Sequence, residues 1–320
     1  MNILVTGVAG FIGSSLSEKL LKNYKNIKLY GLDNLNDYYS LKLKRKRVEN
    51  LKKFKNFKFK RLDLKNFNEL KKFFLKKKFD YAFHFAAQAG VVYSISEPRK
   101  YLDSNIIGFF NFLECCKIKK PKKIFYASSS SVYGNSQNFP LEESQQINPI
   151  NFYGLTKKNN EEVAEIYSNF YGLNLIGLRF FTVYGEWGRP DMVIFKLLKS
   201  ALTNKIFNLN NKGNHIRDFT YIDDVTSLID KLRFKKFNKK HEVFNICSNN
   251  PVKLTYLIQL SKKYNLNLKY KMRPFQRADI YKTHGCNKKV IKKTKYKKFI
   301  KIEDGFLKCI KWFKKFGDII

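Results

Sequence analysis

Tyr153 and Lys157 stand four residues apart in the segment YGLTK, a spacing that places both side chains on one face of a helix. A lysine ammonium beside a tyrosine phenol favours the phenolate and brings the phenol pKa toward working pH. The segment SSSSVYG ends the preceding strand, and its Ser129 is the best candidate for a hydroxyl that bonds a substrate oxygen. These three residues predict a site that removes a proton from a substrate hydroxyl and returns it.

A glycine-rich turn opens the chain in the segment VTGVAGFIG, where Gly7, Gly10 and Gly13 follow a short strand and begin a helix. Such glycines allow a tight turn and let backbone N–H groups approach a pyrophosphate, which a helix N-terminus also favours. Asp33 lies 20 positions after Gly13, where a carboxylate bonds the adenosine ribose hydroxyls and repels a 2′-phosphate. The pattern predicts a dinucleotide site that takes NAD in preference to NADP.

Further candidates for this cofactor site follow the ends of the other predicted strands. Asp63 and Leu64 end the third strand, where adenine would lie, and small residues after the fourth strand would allow close approach. Asn105 is explained equally well as a hydrogen-bonded polar residue of a helix surface. The remaining predicted cofactor contacts are Phe11, Ile12, Asn34, Phe85, Ala86, Ala87, Gln88, Asn105, Ser128, Tyr153, Lys157 and Phe180.

The elements that must position these residues alternate between strand and helix through the first half of the chain. This order predicts an α/β fold of the Rossmann type, a doubly wound parallel sheet with helices on both faces. The predicted strands cover residues 3–6, 27–33, 57–62, 81–87, 123–128 and 173–181. The predicted helices cover residues 11–23, 41–55, 67–78, 99–119 and 151–171, and the lysine-rich helix 41–55 is expected to be exposed.

The second half of the chain gives shorter and more mixed signals, which predict a smaller α/β lobe. We expect residues 1–181 to form the NAD-binding domain and residues 182–320 to form mainly a substrate-binding lobe, with some segments returning to the sheet. Residues 288–301 are interpreted as a solvated lysine-rich face. The predicted elements of this half are helices 192–202, 223–234, 254–264 and 303–316 and strands 206–209 and 243–247.

The charge of the chain suggests another class of function, since 63 basic residues against 26 acidic ones give a formal net charge of +37. A basic surface suits nucleic acid or an anionic membrane. Only ten of these basic residues are arginine, however, and arginine is the preferred reader of base edges and phosphates. We therefore interpret most of the charge as lysine on solvated faces and expect no nucleic-acid partner.

Cysteine, histidine and apolar patterns exclude several other classes. The five cysteines and four histidines have no metal-ligand spacing, so neither a metal site nor a disulfide framework is expected. No uncharged apolar run approaches about 18 residues, so no membrane span is expected. The first residues already resemble a strand entering the glycine turn, which predicts no signal peptide and a cytoplasmic protein.

Eight segments of the chain resemble the extended short-chain dehydrogenase/reductase family. Within it, the chain is most similar to the NAD-dependent sugar-nucleotide epimerases that invert carbon 4 of UDP-glucuronate. The resemblance covers about residues 1–230 and fades in the lysine-rich C-terminal third. The segments are VTGVAGFIG, DNLNDYY, HFAAQAG, SSSSVYG, YGLTKK, RFFTVYG, GRPDM and RDFTYIDD, of which DNLNDYY and GRPDM are more specific than the glycine turn.

The resemblance implies a reaction without net redox change. Tyr153 would take the proton of the sugar 4-hydroxyl while hydride leaves carbon 4 for NAD. The 4-keto sugar would then rotate in the pocket, the hydride would return to its opposite face, and Tyr153 would return the proton. Lys157 would also reach the nicotinamide ribose. Related dehydratases carry an Asp-Glu pair at the positions of Ser130 and Ser131, and related decarboxylases carry a Glu at Ser131. The two serines therefore favour plain epimerisation.

The resemblance also implies substrate contacts and a dimer. Thr182 and Arg189 match positions near a sugar carboxylate, for which an arginine fork is well suited. Arg217 matches an arginine near the UDP phosphates, and Arg277 is a further candidate there. A homodimer would form through a four-helix bundle of helices 99–119 and 151–171. The full implied substrate set is Ser129, Ser130, Tyr153, Thr182, Arg189, Arg217 and Arg277.

Three positions depart from the family pattern and keep alternatives open. Val92 stands where arginine is usual, Glu186 where proline is usual and Ala278 where glycine is usual. Loss of one positive group and gain of one negative group near the pocket leave open an epimerase or 4-keto-forming enzyme on another UDP-hexose, such as UDP-glucose or UDP-N-acetylglucosamine. A basic nucleic-acid-binding module on a Rossmann scaffold is the third possibility, against which the intact Tyr153 and Lys157 argue.

Overall fold

The computed structural model describes residues 1–275 and 280–320 and contains one large sheet and two small ones. The chain enters the large sheet at its first residues, because apolar side chains of the first strand are buried on both faces. The strands are β1 Asn2–Thr6, β2 Lys28–Asp33, β3 Phe57–Arg61, β4 Tyr81–His84, β5 Lys123–Ser129, β6 Leu175–Phe180, β7 Thr182–Tyr184, β8 Phe207–Leu209, β9 Ile216–Tyr221, β10 His241–Ile246, β11 Pro251–Lys253 and β12 Tyr270–Met272.

The large sheet has the order β10-β6-β5-β4-β1-β2-β3, and all its neighbouring strands are parallel. From β1 the chain adds β2 and β3 on one side, and from β4 it adds β5 and β6 on the other side. The sheet therefore has a switch point between β1 and β4. In doubly wound sheets, ligands bind outside the carboxyl ends of the strands at such a point. The predicted α/β fold is therefore confirmed, and it indicates where the functional site must lie.

The helices lie between the strands and cover the sheet. Their ends agree with the predicted helices to within a few residues, apart from the region of residues 99–119. The helices are α1 Phe11–Asn23, α2 Leu41–Lys52, α3 Phe67–Leu75, α4 Tyr93–Ser96, α5 Pro98–Tyr101, α6 Gly108–Ile118, α7 Phe152–Tyr171, α8 Val193–Leu202, α9 Ile222–Arg233, α10 Leu254–Lys263, α11 Lys288–Thr294 and α12 Ile302–Phe316.

Apolar cores lie on both faces of the large sheet, as expected for parallel strands. On one face the rings of Phe83 and Phe125 stack with centroids 5.0 Å apart. On the other face the rings of Phe74 and Phe112 meet edge to face at 6.1 Å. All four side chains are fully buried, and each contributes about 1.5–3 kcal/mol of transfer free energy relative to exposure.

Three sequence-based expectations about these elements are corrected by the structure. The predicted helix 99–119 is interrupted between α5 and α6 by the π-helical segment Leu102–Ile107, whose wider turn carries the inward-facing Asn105. The lysine-rich α2 is not simply exposed, because Lys44 and Arg47 are only 5% and 2% exposed. The run 288–301 is not wholly a solvated face, since Val290 and Thr294 of α11 are buried.

The second half of the chain forms the two small sheets and also returns to the large one. Strands β11, β9 and β7 form one small sheet, and β12 pairs with β8 in the other. Strand β10 pairs with β6 along its full length, so a segment beyond residue 182 completes the large sheet. The division into domains at residue 181 stays a prediction. No helix in the described parts of the chain is long and apolar enough to cross a membrane.

Candidate active site

A cavity of about 1440 Å³ lies at the carboxyl ends of strands β1 to β6 and extends toward the small sheets. Its position is the switch point of the large sheet, where the fold predicts a ligand. The cavity brings together 22 of the 24 residues predicted from the sequence, namely Gly7, Gly10, Phe11, Ile12, Gly13, Asp33, Asn34, Asp63, Leu64, Phe85, Ala86, Ala87, Gln88, Ser128, Ser129, Ser130, Tyr153, Lys157, Phe180, Thr182, Arg189 and Arg217.

Asn105 and Arg277 are the two exceptions. Asn105 does not line the cavity, because its amide is turned inward and fully used by the protein. It donates to the Gln88 carbonyl and to the Thr156 hydroxyl, both at 3.0 Å, and accepts from the Gln88 N–H at 2.7 Å. Asn105 therefore fixes the turn after β4. The prediction that it contacts the cofactor is not met, because it does not line the cavity. Arg277 lies outside the described residues, as does Ala278.

The glycine turn has the shape that a pyrophosphate requires. Gly7 has φ +70°, and a Cβ on Gly13 would lie 2.2 Å from the Gly7 carbonyl oxygen, so both positions need glycine. No side chain caps α1, and Phe11, Ile12 and Gly13 of its first turn line the cavity. Backbone N–H groups and the positive helix end are thus available to an anion at this point.

Asp33 closes the adenosine end of the cavity in a way that fits a ribose. Its carboxylate accepts hydrogen bonds from the N–H groups of Ala9 at 3.0 Å and Leu35 at 2.8 Å, which fixes its orientation. Desolvation raises the pKa of Asp33, and the hydrogen bond from Leu35 and the charges of Lys44 and Arg47 oppose that rise. The geometry of the glycine turn and of Asp33 therefore fits a dinucleotide.

The predicted catalytic pair lies on the first turns of α7. Asn151 caps this helix by accepting from the Gly154 N–H at 2.8 Å. A Cβ on Gly154 would lie 2.6 Å from the Ser131 carbonyl oxygen, so glycine lets the helix start directly against the serine turn. Lys157 is 1% exposed, and its ammonium donates to the Ala127 carbonyl at 2.9 Å and lies 5.9 Å from the centre of the Tyr153 ring.

The titration behaviour of this pair differs from the expectation. Desolvation raises the pKa of Tyr153, and the effects that oppose the rise are a hydrogen bond with Ser129 and the charge of Arg189. Lys157 is not among them, because its ammonium is directed at the Ala127 carbonyl. Burial lowers the pKa of Lys157 to about 7, and the charge of Glu161 opposes this fall.

The floor of the cavity beside Tyr153 is made of hydroxyl groups. Ser129 donates to the Ser131 hydroxyl at 3.2 Å, and both are largely buried with Ser130. Among the described residues that line the cavity, the acidic ones are Asp33 and Asp63 at the adenosine end and Asp191. The tyrosine can therefore exchange a proton with a substrate hydroxyl, whereas no acid–base pair of carboxylates stands beside it.

The predicted carboxylate reader, Arg189, already holds a carboxylate of the protein. Its Nε donates to Asp191 Oδ1 at 3.0 Å and its Nη2 contacts Asp191 Oδ2, so the fork is bidentate. Tyr38 donates its phenolic proton to Asp191 Oδ2 at 3.1 Å. Sequence reasoning missed Tyr38 and Asp191 as site residues, although both lie inside the segments DNLNDYY and GRPDM.

A fully buried guanidinium joins the two sides of the cavity. The Nη1 atom of Arg47 donates to the Ala9 carbonyl at 2.9 Å and to the Tyr39 hydroxyl at 2.7 Å. Its Nη2 atom donates to the carbonyls of Trp187 at 2.5 Å and Gly188 at 2.9 Å, directly before Arg189. Arg47 thus fastens the glycine turn to the loop on the sugar side, and no spacing rule in the sequence points to it.

The two described departures from the family pattern have different positions. Val92 lines the cavity and is 59% exposed, so this part of the wall is uncharged. Glu186 does not line the cavity but accepts a hydrogen bond from the Tyr221 hydroxyl. The expectation that Glu186 adds a negative charge to the substrate pocket is therefore wrong.

Comparison with known proteins identifies the family. The model of the NAD dependent epimerase/dehydratase family matches residues 3–247. The chain belongs to this family. UDP-glucuronate 4-epimerase 2 of Arabidopsis thaliana is 38% identical over 332 residues, which cover 98% of this chain and 76% of the relative. The predicted resemblance is therefore confirmed, and the family is one that uses NAD, as the glycine turn and Asp33 indicate.

Solved structures of the same fold carry related activities. UDP-glucuronic acid 4-epimerase of Bacillus cereus, in complex with UDP-glucuronic acid and NAD, superposes with a TM-score of 0.93 at 30% identity and covers 98% of this chain and 99% of its own. UDP-glucose 4-epimerase of Thermotoga maritima, with UDP-glucose, gives a TM-score of 0.88 at 30% identity and the same coverage.

Proposed function

We propose that the protein is an NAD-dependent epimerase that inverts carbon 4 of a UDP-sugar and interconverts UDP-glucuronate and UDP-galacturonate. The observation that carries this proposal is the group of serine hydroxyls on the cavity floor beside Tyr153, which belong to Ser129, Ser130 and Ser131. Oxidation and reduction at one carbon need a group that moves one proton, and the site provides it. The resemblance to the Arabidopsis and Bacillus cereus enzymes supports the choice of carbon 4.

The residues of the site divide the work of proton transfer. Tyr153, as phenolate, accepts the proton of the 4-hydroxyl and later returns it to the 4-oxygen. Ser129 would bond that oxygen, because its side chain and that of Tyr153 line the same part of the cavity. The charge of Arg189 favours the phenolate, and Lys157 would bind the nicotinamide ribose. Bound NAD supplies a hydride acceptor that is regenerated when the hydride returns.

The same serine hydroxyls disfavour elimination reactions. Loss of water from the sugar requires an acid for the leaving oxygen and a base for the adjacent carbon. Ser130 and Ser131 occupy the positions where related dehydratases carry Asp and Glu. Asp191, the acid on the sugar side of the described lining, is held by Arg189 and Tyr38. Plain inversion at carbon 4 is the reaction that these residues support.

The choice of UDP-glucuronate rests on Thr182 and Arg189 at the sugar end of the cavity. A guanidinium can bind one carboxylate through its fork and still present its remaining N–H edge to another. Arg217 lies farther along the same cavity, toward the small sheets, where the diphosphate would extend. The two arginines thus supply one positive group for each anionic part of a UDP-glucuronate.

A neutral UDP-hexose is the second candidate, and a specific observation favours it. The Arg189 fork is already bidentate with Asp191, and Val92 leaves the nearby wall uncharged. A sugar without a carboxylate would then lose little by binding here. The similarity to the UDP-glucose 4-epimerase of Thermotoga maritima supports this candidate.

We also propose that the protein forms a homodimer through α6 and α7. Apolar side chains on the outer faces of these helices are exposed in the single chain: Phe110 at 49%, Ile166 at 52% and Phe170 at 80%. Exposed apolar groups gathered on one face mark an interaction surface. Two copies related by a twofold axis would bury them as a four-helix bundle.

The test is incubation of the NAD-loaded protein with UDP-glucuronate, UDP-glucose and UDP-N-acetylglucosamine, separately, with products resolved by chromatography. We expect UDP-galacturonate from UDP-glucuronate without added cofactor, and no product from the Tyr153→Phe variant. Turnover of UDP-glucose alone would establish the second candidate. Full turnover by Tyr153→Phe, or no product from any of the three sugars with folded, NAD-loaded protein, would contradict the proposed chemistry.

A further inference from the structure

Three successive residues at the end of β5 face α7, and two of the three α7 residues opposite them, Tyr153 and Lys157, belong to the predicted catalytic set. The Ala127 carbonyl accepts from Lys157 at 2.9 Å, and Ser129 opposes the rise that burial causes in the pKa of the Tyr153 phenol. Between them, the Ser128 hydroxyl donates to Glu161 Oε1 at 2.5 Å. Glu161 follows Lys157 by one helical turn, so it continues the same face of α7.

The carboxylate of Glu161 is fixed from a second side. Arg179 on β6 donates from Nε to Glu161 Oε1 at 2.9 Å and from Nη2 to Oε2 at 2.7 Å. The side chains of the pair are only 5% and 7% exposed. Arg179 also donates to the Tyr133 hydroxyl at 2.8 Å, which in turn donates to Asn245 at 2.8 Å. These bonds fix the carboxylate of Glu161 at one place, one helical turn after Lys157.

Few charges face the Lys157 ammonium in this environment. On β4 the fully buried His84 bonds Thr6 at 3.0 Å, and burial lowers its pKa to about 3, so it is neutral. On α7 the polar groups one turn before and one turn after Lys157 are the Tyr153 phenol and Glu161, and Arg179 on β6 is paired with Glu161. Glu161 is the acid whose charge raises the pKa of Lys157 against the effect of burial.

We propose that Glu161 is a positioning residue for the catalytic lysine: its carboxylate, fixed by Arg179 and Ser128 one helical turn from Lys157, preserves the ammonium charge with which Lys157 bonds the Ala127 carbonyl. The proposal deepens the proposed function and rests on it for the role of Lys157. An ion pair of this kind can also be purely structural, since a buried pair is often replaceable by neutral residues without loss of stability. A positioning role predicts that the pKa of Lys157 changes when only Glu161 or only Arg179 is neutralised, whereas a purely structural role predicts no change.

The variants Glu161→Gln and Arg179→Gln separate these roles. Glu161→Gln leaves the Arg179 charge unopposed near Lys157, which lowers the pKa of the ammonium. Arg179→Gln leaves the Glu161 charge unopposed and raises it. We expect opposite shifts of about one pH unit each, and an intermediate value in the double variant, because its two amides carry no charge. Glu162→Gln is the matched control, because that side chain is 58% exposed.

Two measurements report the shift. The first is the alkaline limb of kcat against pH for the UDP-sugar that the protein turns over. The second needs no sugar: acetylation of Lys157 by acetic anhydride at a series of pH values, quantified by mass spectrometry, measures the neutral amine directly. Failure of the proposed function would remove the first readout and leave the second intact.

Opposite shifts in the two single variants, with Glu162→Gln unchanged, would support the proposal. Equal losses of melting temperature with unmoved labelling curves, or shifts in the same direction, would overturn it. If Glu161→Gln does not fold, Arg179→Gln is compared with the double variant. The proposal then requires that the pH midpoint of Lys157 acetylation rises in Arg179→Gln and falls back toward the wild-type value in the double variant.

Discussion

Replacement of Asp191 by Asn should increase the preference of the site for a sugar that carries a carboxylate. Asp191 occupies the Arg189 fork, with one N···O distance of 3.0 Å. A substrate carboxylate at the same guanidinium would stand close to this like charge. Asparagine keeps the shape and a hydrogen-bond acceptor but removes the repulsion.

The magnitude follows from the exposure of the pair. Two like charges about 4 Å apart repel by about 4 kcal/mol at an effective dielectric constant of about 20 and by about 1 kcal/mol in water. The side chains of Arg189 and Asp191 are 20% and 29% exposed, so solvent screens part of the interaction. We therefore expect a gain of about 1.4 kcal/mol, or about tenfold, for the carboxylate sugar over the neutral one.

The assay is the ratio of kcat/KM for UDP-glucuronate to kcat/KM for UDP-glucose, measured in the wild type and in Asp191→Asn. The control is Asp37→Asn, the same change at an exposed residue beside Tyr38 that does not line the cavity. A ratio that stays within about twofold of the wild type would refute the reasoning that Arg189 reads the sugar carboxylate.

Three further predictions concern the cofactor, the assembly and the charge. Gly13→Ala should abolish copurification of NAD, because its Cβ would lie 2.2 Å from the Gly7 carbonyl oxygen, and cofactor absorbance of the purified protein checks this. Phe170→Glu should convert a dimer into a folded monomer in sedimentation, since this ring is 80% exposed, and an unchanged dimer would contradict the interface. If the net charge of +37 speeds capture of an anionic sugar nucleotide, kcat/KM should fall as salt rises while kcat stays constant, in stopped-flow and steady-state measurements.

The parts of the fold that follow from local pattern could be predicted well. Helix α1 begins and ends at the predicted residues, because a glycine turn precedes it and its apolar residues recur with helical period. The short strands β7, β9 and β11 were not predicted, because three to six residues give little periodicity and their pairing joins distant parts of the chain. The π-helical segment 102–107 also lacks a sequence rule that separates it from an α-helix.

The site shows the same division between local and tertiary causes. Glycines, Asp33, Tyr153 and Lys157 could be recognised because their spacing within one strand–turn–helix unit determines where they lie. The inward turn of Asn105, the pairing of Arg189 with Asp191 and the burial of Arg47 depend on contacts between distant segments. For Arg47 the sequence predicts exposure instead of burial, since a basic residue in a lysine-rich helix normally faces water.

The return of β10 to the large sheet makes residues 1–181 dependent on a later segment of the chain to cover one sheet edge. A chain cut after residue 181 would leave β6, with six buried residues, as an edge strand that pairs only with β5. Such an edge offers its free backbone groups to any other chain and promotes aggregation. Exchange of the segment after residue 181 for that of another protein would therefore also have to supply a strand that fits the exposed edge of β6.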